Sequence, residues 1–287
     1  MTTAPASTNQ PGPGQGSGQG PDFAGSSISS EGRVPIGPVI GILIRRGLIA
    51  ITRIPAAIGP ILIMPIFFMV AFAGSYSAIV AIPGFPTDNI LSWFVPYACV
   101  QGAAFGGMGT GFSTARDIES GFYDRLLLAP IKRISLVLGA LGGSMVRSLL
   151  PLVTVLPLGL ILGADLPSLL GLALLTLTCV MVGAVTGLWA LGVVYRLRSQ
   201  RSLGLVQVGI FATLFLSIGQ VPLAVMQGWL HGAARINPTT NLLRMARQGF
   251  LDDGVTWELT WPGLVAGTVM IAGLSLWAGT GFRKVQQ

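Results

Sequence analysis

Charge is scarce in this sequence. Asp, Glu, Lys and Arg together make up 9% of 287 residues, against roughly a quarter in a soluble domain. So few charges cannot clothe a fold that meets water on every side, and hydrophobic residues reach 52% with a mean hydropathy of +0.73. Lysine is rarer still: Lys132 and Lys284 are the two present, and neither closes a GxxxxGK pattern. Without that phosphate-cradling loop the chain is not expected to hydrolyse ATP, to act as an enzyme by itself or to bind a cofactor. A single histidine, His231, argues against a histidine-based metal centre. The two cysteines, Cys99 and Cys179, lie inside apolar runs with neither disulfide nor metal spacing, and suit packing.

Carboxylates are missing from the apolar runs as well. Asp88, Asp165, Asp252, Asp253 and Glu258 all fall between them. Ion-coupled carriers usually hold such groups at membrane depth. Their absence disfavours an ion-coupled secondary carrier, which stays an alternative beside a non-transporting membrane scaffold. The net charge of +7 does not make a nucleic-acid surface, because the basic residues form short clusters between apolar runs, where topology signals occur.

What is present is a series of runs long enough to cross a bilayer. They predict an all-α polytopic membrane protein with about six transmembrane helices, near 56–76, 90–112, 135–163, 169–195, 203–227 and 259–282. Residues 1–32 are rich in Pro, Gly, Ser and Gln and read as a disordered cytoplasmic tail. Residues 33–55 read as an amphipathic helix at the interface, with Arg45, Arg46 and Arg53 reaching the headgroups. The basic clusters within 33–53, 116–133, 196–201 and 283–284 fall on one side of this arrangement. The positive-inside rule then puts both termini in the cytoplasm. Glycine pairs four apart, such as Gly102 with Gly106 and Gly107 with Gly111, suit close helix crossings.

Two connections carry more information. In 114–134 the charged residues Arg116, Asp117, Glu119, Asp124 and Arg125 mix both signs, and Phe122, Tyr123, Leu126 and Leu127 form an apolar face before Pro130. Such a helix suits either docking on a soluble partner or simple connection of two spans. In 228–258 the polar Asn237, Thr239, Thr240 and Asn241 stand near Arg244, and need protein partners if they lie at membrane depth. Arg147 is the one charge well inside a span, which makes it either functional or a residue that snorkels to the headgroups.

The stretch RDIESGFYDRLLLAPIKRIS and the later INPTTNLLR resemble the first cytoplasmic loop and the outer segment of ABC-2 type exporter permeases, most closely the daunorubicin-resistance branch. The resemblance implies the transmembrane subunit of an ATP-binding cassette exporter in the bacterial cytoplasmic (inner) membrane. It would move a hydrophobic drug, lipid or glycoconjugate outward, with ATP and Mg held on a separate ATPase subunit. It implies two ATPase copies, a second permease copy in a homodimer, and no nucleic acid. Arg116, Asp117, Glu119, Gly121, Arg125 and Pro130 would then couple to the ATPase. Asn237, Pro238, Thr239 and Arg244 would belong to an outer re-entrant element.

Overall fold

The computed structural model describes residues 36–285 apart from 54, 84, 130, 252 and 253. The tail expected over 1–32 and the coupling residue Pro130 lie outside the described residues. Within them the fold is all-helical: α1 (Ile36–Arg53), α2 (Pro55–Ser75), α3 (Ile90–Glu119), α4 (Phe122–Leu128), α5 (Ile134–Arg147), α6 (Leu150–Ile161), α7 (Leu169–Leu197), α8 (Leu203–Phe215), α9 (Gly228–Ile236), α10 (Pro238–Arg247) and α11 (Trp257–Val285). Among the described residues three stretches are long and apolar enough to cross a membrane: Ile134–Ile161, Leu169–Leu197 and Trp257–Arg283. This is a helical membrane protein.

Helix α3 is the centre, and α2, α5, α6, α7, α8 and α10 all pack on it. It is buried along most of its length from Ser92 to Ala115, so it meets protein where the outer helices meet lipid. That position explains why it tolerates Gln101, Thr110 and Thr114 along its length. Its glycines set the approach of the neighbours. A Cβ on Gly107 would sit 2.0 Å from Thr186 Oγ1 and 2.5 Å from the Gly183 carbonyl, so α3 and α7 cross with almost no side chain between them. Gln101 is fully buried on α3, and neither end of its amide has a hydrogen-bond partner among the described residues.

Two expected spans take another form. The run over 135–163 is not one unbroken helix but α5 and α6, joined by a turn at Ser148 and Leu149. Pro151 explains the break: it has no N–H to donate and its ring crowds the carbonyl of Arg147, four residues earlier. The run over 203–227 is helical only as α8, whose 13 residues reach about 20 Å, short of the roughly 30 Å hydrocarbon core. Residues 216–225 run through turns instead, and the chain re-forms as α9 and α10.

Candidate functional site

The carboxyl-terminal ends of α3, α7 and α11 and the start of α5 meet at one end of the bundle. Buried Tyr123, Leu136, Leu191, Tyr195 and Phe282 form a small core there. Helix α4 closes over it. Gly121 makes the corner between α3 and α4 with φ of +69°, a left-handed conformation that glycine adopts without strain. Tyr123 then reaches inward, its hydroxyl 3.2 Å from that of Tyr195. Burial pushes the Tyr123 phenol up to about 12, so it stays protonated. Leu126 and Leu127 pack on the same core. Most of the apolar face of α4 is therefore spent within the chain, through Tyr123, Leu126 and Leu127. What α4 turns outward is Phe122, Asp124, Arg125 and Leu128, the last 86% exposed.

The other residues of this loop are tethers. Asp117 pairs with Arg46 of α1, whose guanidinium also lies 4.5 Å over the Phe122 ring. Burial raises the Asp117 carboxyl above its ordinary range, opposed by Arg46. Glu119 accepts from the Gln200 backbone N–H at 2.8 Å and from the Gln200 side-chain amide. These bonds hold its carboxyl below the usual carboxylate range and tie the end of α3 to the loop after α7. Arg116 and Arg125 are exposed.

At the opposite end of α3 the same residue types are buried. A helix that stops away from water leaves carbonyls that must find donors in the protein. Helix α8 stops so, among buried Leu214, Ser217 and Ile218, and the segment after α9 supplies the donors. The Asn237 amide donates to the carbonyls of Thr213 at 2.6 Å and Leu216 at 3.0 Å, while its oxygen caps α10 at the Thr239 N–H. Pro238 starts α10, where a missing N–H is harmless. Thr240 donates to the Ala234 carbonyl of α9 at 2.6 Å. Arg247, 1% exposed, donates to the carbonyls of Ile218 and Gly219, both at 2.7 Å, and of Trp93 at 3.1 Å. Its guanidinium lies 3.6 Å over the Trp93 ring, and the Trp93 indole N–H donates to the Gln220 carbonyl. Thr239 is buried beside this network, whereas the half-buried Arg244 takes no part in it among the described residues.

The two residue sets do not come together. Trp93 and Glu119 lie 26 residues apart on α3, about 39 Å along its axis. Arg147 lies between them, 4% exposed, against α3 at Gly109 and α1 at Gly47. Sequence reasoning missed Arg247 and also Arg196. Arg196 ties α7 to α11 by donating to the Trp277 carbonyl and the Thr280 hydroxyl, with its guanidinium 4.2 Å over the Trp277 ring. A basic residue at a span end reads as a topology signal, and only the distant acceptors reveal the bracing role.

The family model for the ABC-2 type transporter matches residues 38–251. The chain is 29% identical over 231 residues, 77% of its length and 80% of the relative's, to the daunorubicin resistance ABC transporter permease protein DrrB1 of Streptomyces coeruleorubidus. It is 26% identical over 250 residues to a protein of Pyropia yezoensis that carries the transport-permease name ycf38, covering 82% of this chain and 83% of that one. A protein of the same name from Cyanophora paradoxa is 24% identical over 221 residues, 75% of this chain and 74% of that one.

Proposed function

This chain belongs to the ABC-2 type transporter family, and from that premise we propose that it exports a hydrophobic molecule using ATP hydrolysed by a separate subunit. The observation that carries the reading is α4, braced inward through Tyr123, Leu126 and Leu127 while Arg125 and Leu128 stay exposed. A helix held this firmly transmits force, and its outward residues are the docking surface. Asp117 and Glu119 pass the motion to α1 and to the loop after α7. The working unit is two copies of this chain with two ATPase copies in the bacterial cytoplasmic membrane. Helices α2 and α3, and α8 together with the apolar turn segment 216–227 that follows it, complete six spans, with both termini cytoplasmic on the side that carries α4. Helices α9 and α10 form the outer re-entrant element.

The aromatic cluster shared by α2, α3 and α8 supports an apolar cargo. Phe68 stacks on Phe72 at 5.2 Å and meets Phe211 and Phe215 edge-on at 6.2 and 5.9 Å, while Phe67 is 60% exposed beside it. Such faces take flat hydrophobic molecules without demanding specific hydrogen bonds. The test is co-purification with the cognate ATPase and ligand-stimulated ATP hydrolysis in proteoliposomes. Arg125→Glu with Leu128→Glu is expected to abolish both while the permease stays monodisperse. Unchanged co-purification in that double variant would overturn the reading.

A further inference from the structure

Arg147 and Arg247 are both buried arginines, yet only one is satisfied. Arg247 directs its donors to three carbonyls. Arg147 uses one donor: its Nε–H donates to the Gly143 carbonyl at 3.1 Å, and neither terminal nitrogen has a hydrogen bond with the described residues. The helices around those nitrogens carry glycine. A Cβ on Gly47 would lie 3.0 Å from Nη2, one on Gly143 3.2 Å from Nη2, and one on Gly109 3.3 Å from Nη1. Arg147 instead lines a cavity of about 70 Å³ between α1, α3, α4 and α5. A single water needs only about 10–15 Å³, so there is room for a group of several heavy atoms.

We propose that this cavity binds the phosphodiester of a membrane phospholipid, gripped by the terminal nitrogens of Arg147. Thr110, Ser113 and Thr114 also line the cavity, with the Arg46–Asp117 pair; the hydroxyls of Thr110 and Ser113 donate to the carbonyls of Ala140 and Gly109. Two guanidiniums and one carboxylate leave one uncompensated positive charge. A phosphodiester carries one negative charge and meets that balance, whereas a phosphate dianion exceeds it. A guanidinium presents paired N–H groups that match phosphate oxygens. The lipid's tails have a place to lie, because α1 carries Ile42 and Ile49 outward, 68% and 39% exposed. The site goes beyond the transport reading and stands whether or not the cargo is hydrophobic.

Native mass spectrometry of the purified chain tests this, with dioleoyl-phosphatidylglycerol, dioleoylglycerol and sodium phosphate as separate titrants. The phospholipid is expected to bind at least about tenfold more tightly than dioleoylglycerol, which has the same tails and no phosphate. Arg147→Gln is expected to erase that margin and Arg147→Lys to keep part of it. Should Arg147→Gln fail to fold, Ser113→Leu fills the cavity from α3 and must erase the same margin. Equal phospholipid retention in the wild type and in the folded variant overturns the proposal. Displacement of the phospholipid by millimolar sodium phosphate overturns the lipid as source and assigns the site to a free anion.

Discussion

The two ends of the bundle put the same polar residue types to contrary uses. Where α8 stops, Asn237 and Arg247 are turned inward and their donors go to backbone carbonyls. Where α3 stops, Arg116, Arg125 and Glu119 remain exposed, and the internal tethers run close to the surface. Burial decides the difference. A carbonyl without water must find a protein donor, so the first end is fixed by an absolute requirement. Exposed polar groups keep water as an alternative partner, so each bond at the second end adds little to stability and is free to serve motion.

The most damaging single change should therefore be at Arg247. Arg247→Met removes three donors at once and leaves the carbonyls of Trp93, Ile218 and Gly219 buried without them. The expected loss is about 3–5 kcal/mol, seen as a collapse of monodisperse protein in detergent size exclusion and a lowered Tm. Arg247→Lys should recover only part of it, because one ammonium cannot reproduce the planar fork that reaches three acceptors. A well-folded Arg247→Met would break the contrast between the ends.

Asn237 comes next, and two substitutions separate its two jobs. Asn237→Ala loses both the α10 cap and the donation to α8, for an expected cost of about 1–2 kcal/mol in thermal unfolding. Asn237→Asp keeps a cap acceptor for the Thr239 N–H but turns an oxygen toward the Thr213 and Leu216 carbonyls. If sealing α8 is the main job, Asp is at least as damaging as Ala. Stability close to wild type in Asn237→Asp would reduce the residue to an ordinary helix cap.

The same contrast governs what is legible in the sequence. Apolar runs announce helices, and α7 and α11 fall close to the runs that predict them because bilayer thickness sets their length. The end of α8 is invisible to hydropathy, since residues 216–226 stay mostly apolar. It is fixed by donors from Asn237 and Arg247, 21 or more residues downstream. The break at Pro151 is readable locally, from the proline itself. The amphipathic face of α4 is readable too, but not its direction, because Tyr195 and Phe282 that receive it lie far along the chain. The INPTT pattern points to the right segment, while Arg247 reads as one more loop charge.

The smallest expected effect on stability, and the most informative, belongs to Glu119. Its carboxylate is exposed and its bonds to Gln200 compete with water, so Glu119→Gln should leave Tm nearly unchanged. Those bonds hold the carboxyl below its ordinary value, so the ionised form is the one that ties α3 to the loop after α7. The tether's contribution is accordingly complete above the ordinary carboxylate range and is lost as pH falls through the lowered value. At neutral pH, where the tether is intact, Glu119→Gln should lower ligand-stimulated ATP hydrolysis by the complex without loosening its assembly. A drop in Tm as large as that of Asn237→Ala would instead make Glu119 a structural brace, and the two ends would differ only in exposure.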